Sequence, residues 1–209
     1  MTRHSAGGRA LSGITAALVV AGVLAGCGDG GGSVFNGNGY DLEVPTGWSD
    51  GPGTSAQEIF ERVGRDAPPP PGPYGALDAV VARNQPEKGP GTLVTVEIEA
   101  DPTYPTAEEW AEFEIRLARE RPRIASPSVD PATRVTEPPT EAESTTVDGE
   151  PAVALDYGLS FGGPPLRARQ VLVVEDEVLY RITLQAAERH FEEALPGLEQ
   201  MLDSWRWGD

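Results

Sequence analysis

Apolar and polar positions alternate over residues 40–44, with Tyr40, Leu42 and Val44 on one side and Asp41 and Glu43 on the other. That period of two is the mark of a half-buried strand. Pro45, Thr46, Gly47 and Trp48 then predict a turn. Residues 77–83 and 92–99 repeat the strand signal. In the second, alternation directs Val94, Val96 and Ile98 to a core and Leu93, Thr95, Glu97 and Glu99 to a solvated face. Four further strands are predicted at 142–147, 152–161, 166–174 and 178–186. Asp148-Gly149, residues 162–165 and residues 175–177 supply the turns between them. Connections this short make the four strands antiparallel neighbours.

The period changes to that of a helix in three places. Residues 54–65 fit a short helix with Ile59, Phe60 and Val63 on one side. Thr106 and Glu109 form a capping box, in which the hydroxyl accepts from the N3 amide and the carboxylate reaches back. The helix that follows carries Trp110, Phe113, Leu117 and Ala118 as its core stripe, and Pro122 ends it. Residues 122–139 read as a loop-rich stretch. Near the end of the chain, Phe191, Leu195, Leu198, Leu202 and Trp205 recur at steps of 4, 3, 4 and 3. Pro196 interrupts that stripe. Proline is welcome in a first helical turn but costs about 3 kcal/mol in a helix interior, so a short turn at 188–194 and a separate helix from Pro196 are expected.

The beginning of the chain has another character. Arg3 and Arg9 precede an apolar run over residues 11–24, which ends in Ala25, Gly26 and Cys27. A basic start, a short apolar stretch and small residues before a cleavage point are the parts of a secretory signal peptide. The run is too short and too interrupted, by Gly13, Thr15 and Gly22, for the ~20 residues of a membrane span. Leu24 to Cys27 looks like a bacterial lipobox, which implies thioether attachment of diacylglycerol to Cys27 and cleavage before it. Cys27 is the single cysteine in the chain, so no disulfide competes for it. Two or three acyl chains make a stable anchor where one does not. The expected organisation is a signal peptide over 1–26, a lipidated cysteine and Gly-rich tether over 27–39, and a single domain over 40–209. Twelve tether residues in flexible coil would reach roughly 20 Å.

Charge narrows the partners. The chain carries a formal net charge of −17, and loss of residues 1–26, with two arginines and no acid, takes it to −19. Nucleic acid is excluded, because its binding rests on Lys and Arg against phosphates. Electrostatic adhesion to anionic lipid is excluded for the same reason. The acids form no long block and keep the surface solvated.

Two stretches resemble the PsbP-like superfamily, which takes its name from an extrinsic photosystem II subunit and also holds a Ran-binding import factor and many bacterial lipoproteins. The run from Tyr40 to Trp48 is similar to the family's first strand and its Pro-x-Gly-Trp corner. Thr146 to Ala152 precedes a long meander, and Met201 to Trp205 closes the chain as in relatives, where the last position is often Phe. Lipobox, Gly tether and single domain together resemble the actinobacterial lipoproteins of the LpqN type. The resemblance covers about residues 40–207. It implies an α+β fold, an antiparallel sheet of about six or seven strands with helices packed on it as an α/β/α sandwich, and it implies no catalytic residues.

The residues agree that chemistry is scarce. After Cys27 there is one histidine, His190, and no second cysteine. That excludes a cysteine protease and the usual zinc sites. Gly158-Leu159-Ser160-Phe161-Gly162 spells Gly-x-Ser-x-Gly, but it closes the strand predicted over 152–161 and leads through a turn to another strand, not to the helix that a nucleophile elbow requires. No phosphate loop occurs, and no Gly-x-Gly-x-x-Gly stands between a predicted strand and a helix. Glu97 with Glu99, and Asp41 with Glu43, are same-face carboxylate pairs, which glycosidases use and solvated strand faces also show. The carboxylates are expected to stay ionised and solvated. No catalytic residue, metal site or cofactor is expected. Tyr74 and Trp207 are the candidate partner contacts, since exposed aromatics are enriched at binding hot spots. The expectation is a monomeric, membrane-anchored extracytoplasmic lipoprotein on the outer face of the cell membrane, acting as a non-enzymatic binding or assembly module for an envelope protein. The alternatives are a carrier of a small apolar or lipid ligand, and a carboxylate-based hydrolase.

Overall fold

In the computed structural model, the described residues are 32–52, 76–83, 91–120, 134–160 and 163–208. Eleven strands and two helices follow one another among them. Strand β1 is Ser33–Asn36, β2 Tyr40–Val44, β3 Trp48–Pro52, β4 Ala76–Arg83 and β5 Leu93–Ala100. Helix α1 is Ala107–Glu120. Strands β6 Arg134–Glu137, β7 Glu143–Val147, β8 Glu150–Ser160, β9 Leu166–Glu175 and β10 Val178–Ala187 come next. Helix α2 is Glu188–Ser204 and β11 is Arg206–Trp207.

The main sheet runs β3-β4-β5-β10-β9-β8-β6, with β7 also on β8, and a small sheet runs β1-β2-β11. Every pairing is antiparallel. One face of the main sheet is covered by α2 and by the small sheet, through Leu42, Val81, Val96, Ile182, Phe191 and Met201 among others. Helix α1 covers the opposite face, where Trp110 and Ala111 meet Val153, Leu155, Leu172 and Leu179. This is the α+β sandwich that the period-two and period-3.6 segments predict. The main sheet has eight strands, a little more than expected, because residues 134–137 within the stretch read as loop form β6 and residues 48–52, which begin in the predicted turn, form β3.

Turn chemistry follows the backbone. Asp148 and Gly149 stand at φ 45° and 91° between β7 and β8, which is what a two-residue hairpin of the right twist demands. Asp176 and Glu177 do the same between β9 and β10, at φ 49° and 62°, without glycine. At the family-like corner, the Trp48 N–H donates to the Pro45 carbonyl at 3.0 Å, and Gly47 takes φ 85°. The Glu109 N–H donates to Thr106 Oγ1 at 3.3 Å, which is the hydroxyl half of the expected capping box on α1.

Four expectations need correction. Residues 33–36, read as tether, are strand β1, paired with β2 from Ser33↔Val44 to Asn36↔Asp41, and Phe35 is buried in the core. A single buried aromatic in a Gly-rich stretch was enough to dock it. Second, Pro196 lies inside one continuous helix. Phe191 and Ala194 before it, and Leu198, Met201 and Trp205 after it, are all buried, so tertiary packing holds both halves on one axis and outweighs the proline's cost. The buried stripe has Ala194 and Met201 in place of Leu195 and Leu202, which flank it half-buried. Third, the α1 stripe is Ala107, Trp110, Ala111, Glu114 and Ala118, with Phe113 and Leu117 only partly buried. Fourth, β5 is not solvated on either side over most of its length. The expected helix at 54–65 lies outside the described residues.

Gly197 is the helical residue that lets the corner close. A Cβ there would stand 2.7 Å from Trp48 Cζ2 and 3.0 Å from Cε2. Gly→Ala inside a helix ordinarily stabilises by about 0.5–1 kcal/mol. Here Gly197→Ala should destabilise by about 1–3 kcal/mol, the cost of overpacking against an aromatic ring. A rise in urea midpoint for this variant would show that Trp48 does not pack there.

Candidate functional site

Strands β5 and β10 are central, so both faces of each are covered, and any polar side chain on them must find partners inside. Five polar residues on these two strands are buried toward α1: Thr95, Glu97, Arg181, Thr183 and Gln185. Register explains their grouping, since Arg181 pairs with Glu97 and Thr183 with Thr95. Cross-strand partners share a face. From β9, Gln170 continues the row: its Nε2 donates to Thr183 Oγ1 at 3.5 Å, and Tyr157 on β8 donates its hydroxyl to Gln170 Oε1 at 3.4 Å.

Arg181 is the centre of this layer. Its side chain is 2 % exposed and donates to Glu99 Oε2 at 3.0 Å. Glu114 of α1 approaches it at 4.0 Å, and the guanidinium lies over the Trp110 ring, 4.7 Å from its centroid. Glu114 therefore sits on the buried stripe of α1 because Arg181 waits beneath it. Three carboxylates thus share one cation in a space largely closed to water. Burial pushes the Glu97 carboxyl up to about 7 against the pull of Arg181, and Glu114 and Glu99 push it further. Glu114 is likewise raised to about 7 by burial, opposed by Arg181 and aided by Glu99. Burial, with the Glu114 charge, holds the Tyr157 hydroxyl well above its ordinary value.

The expectation that the carboxylates stay ionised and solvated fails for these two residues. The physical reason is the second layer: a strand covered on both sides has no solvated face. Asp41 and Glu43, on the outer side of β2, are exposed as expected. A sequence signal for the cluster did exist. Arg181 interrupts the apolar run from Val178 to Ile182, and its strand is predicted inside an antiparallel meander; an arginine buried there needs a partner, and acids at alternate positions of residues 92–99 offer one.

A groove of about 730 Å³ lies at the outer edge of the sheet. There β6 ends at Glu137↔Gly158 and β7 begins at Glu143↔Ala154, so residues 155–157 of β8 have no strand partner on that side. Its walls are charged, with Glu137, Glu141 and Asp156 facing Arg167 and Arg169. Arg169 is bridged to Glu143 and lies 3.4 Å from Asp156. Arg167 pairs with Glu192 at 3.0 Å and covers the Phe191 ring. This is a polar groove, unlike the apolar cavity a lipid carrier needs. Glu97 and Glu114 do not line it.

Trp207 pairs through β11 with Tyr40. Its ring lies 5.0 Å from Tyr180 and 5.5 Å from Trp205, half-buried in an aromatic cluster. Tyr40 stacks on Trp205 at 4.1 Å and 7°, and its hydroxyl donates to Asp78 at 2.9 Å. His190 accepts from Arg189 Nε at 2.9 Å and stands 3.5 Å from Glu193. Cys27 and Tyr74 lie outside the described residues. Among the described residues, no group of three metal-ligating side chains is placed to hold an ion, and no helix is long and apolar enough to cross a membrane.

The fold is PsbP-like. The chain is similar to the solution structure of the cyanobacterial PsbP protein (CyanoP) of Synechocystis sp. PCC 6803, with a TM-score of 0.56 and 17 % identity over 90 % of this chain and 99 % of that one. It is also similar to Mycobacterium tuberculosis LpqN, described as involved in cell envelope biogenesis, with a TM-score of 0.54 and 14 % identity over 85 % of this chain and 86 % of the other. No family model matches the sequence, and no curated protein does.

Proposed function

We propose that this protein is a lipid-anchored module of the cell envelope, held through Cys27 on the outer face of the cell membrane and acting by binding another envelope component. The observation that carries the reading is a lipobox-type cysteine set a few residues ahead of the first strand of a PsbP-like sandwich. The fold neighbour LpqN is described as an envelope-biogenesis protein, which fits a non-enzymatic role of this kind. The six steps from Cys27 to Ser33 span at most about 22 Å when fully extended, half the full extension of a tether running to residue 39. Such a leash keeps the small sheet at the membrane side of the domain. A charged groove, and little exposed apolar area among the described residues, suit a polar protein partner better than a lipid. Among the described residues, Val34 is the exposed large hydrophobic side chain.

The test is Cys27→Ala, followed by metabolic labelling with a palmitate analogue and membrane fractionation. The wild-type chain should take label and sediment with membranes. The variant should lose the label and accumulate as unprocessed precursor. Normal processing and retention of the variant would refute the anchor.

A further inference from the structure

Helix α1 is attached to the sheet unlike α2. Its fully buried face offers one large apolar side chain, Trp110, with Ala107, Ala111, Ala118 and the carboxylate of Glu114, while Phe113, Ile115 and Leu117 pack partly buried beside it and Arg119 Nη2 donates to the Thr140 carbonyl at 3.3 Å. Helix α2 offers Phe191, Leu198 and Met201, and is tied down at its end, where Ser204 Oγ accepts from the Glu43 N–H at 2.9 Å. Among the described residues, three carboxylates and one guanidinium meet between α1 and the sheet, a net charge of −2 when all are ionised. The groups facing this space, element by element among the described residues, are few. They are Glu97 and Glu99 on β5, Arg181 on β10, Tyr157 on β8 and Glu114 on α1 itself. On β4 the residue opposite Glu97 is Leu77, and β9 contributes uncharged Gln170 and Leu172.

We propose that α1 is a proton-operated cover, held against the sheet when the Glu97–Glu99–Glu114–Arg181 cluster takes up protons and loosened when that cluster is fully ionised. Like charges close together in a poorly solvated space repel strongly. They are relieved either by protonation or by lifting the helix so that water reaches them. Burial acts in the same sense, since Glu97 and Glu114 hold their protons to near-neutral pH. Lifting α1 alone exposes Arg181, Thr183, Gln170 and Tyr157, a row of hydrogen-bonding side chains on the sheet. Local opening of this sort costs less than global unfolding when few large apolar groups are lost. The device is independent of the lipid anchor.

Hydrogen exchange of the full chain, read as protection factors corrected for the intrinsic pH dependence, tests this. Between pH 5.5 and pH 8, amides of α1 should lose protection by about ten-fold or more beyond any change in α2, the size one linked proton supplies over this interval. Glu97→Gln with Glu114→Gln should keep α1 protected at pH 8 and flatten its dependence. Glu108→Gln, on the exposed side of α1, should leave the wild-type dependence in place. Equal loss in α1 and α2, a flat wild-type profile, or an unchanged dependence in the double variant would each overturn the proposal. If the double variant fails to fold, the wild-type comparison of the two helices still decides.

Discussion

Replacement of Arg181 by methionine should destabilise the protein by about 3–5 kcal/mol at pH 8, the cost of removing one partner from a buried ionic cluster. Methionine fills similar volume, so the loss reports charge. At pH 5 the same variant should lose roughly half of that or less, because Glu97 and Glu114 are then protonated and need no cation. The sign for the wild-type chain follows from the same two groups. Each is raised from 4.5 to about 7 by folding, so between those values the folded chain holds more protons than the unfolded one. Stability from this source is fully present below 4.5 and is lost as the pH rises through about 7. Protonating either carboxyl relieves the other, so the gain from pH 8 to pH 5 is on the order of 3 kcal/mol, one carboxyl's share. Urea titrations at both pH values check both statements. A wild-type stability that falls from pH 8 to pH 5, or an Arg181→Met cost equal at both, would remove the cluster from the account.

Trp205→Ala should cost about 3–5 kcal/mol, in the range of a fully buried tryptophan truncated to alanine. Trp205 has no exposed surface. It stacks on Tyr40 and meets Tyr180 and Trp207 edge-on, so one ring joins the end of α2 to both sheets. Its loss frees β11 and the turn at Gly39, whose carbonyl accepts from the Gly208 N–H at 2.9 Å. Chemical denaturation that shows a loss below about 1 kcal/mol would mean that the small sheet and the helix end are not coupled through this residue.

Most strands were legible because their alternation is local: β2, β4, β5 and β7 to β10 all fall within two or three residues of their predicted places. The Thr106 hydroxyl cap and the Asp148-Gly149 turn were legible for the same reason, since each is settled by neighbouring residues. β1, β3 and β6 were not: β1 and β6 are four residues with one buried side chain, and β3, Trp48-Ser-Asp-Gly-Pro52, is polar and turn-like in composition, so none carries a period to read. The candidate site was legible only in its parts. Glu97, Glu99 and Glu114 could be seen as acids on regular elements, but the spacing of β5 is the same whether its second face meets water or a helix.

By itself the sequence determined the α+β class, the antiparallel meander and the position of both helices, since these rest on hydrophobic period, caps and turn residues. The tertiary structure alone decided three things. It carried α2 through Pro196, because buried side chains on both halves of the helix outweigh one missing hydrogen bond. It drew residues 33–36 into a sheet, because Phe35 found a core there. And it closed α1 over β5 and β10, which turned a face of ordinary surface acids into a buried cluster of three carboxylates on one arginine. Burial is a property of what lies on the other side of a residue, and no local pattern records that.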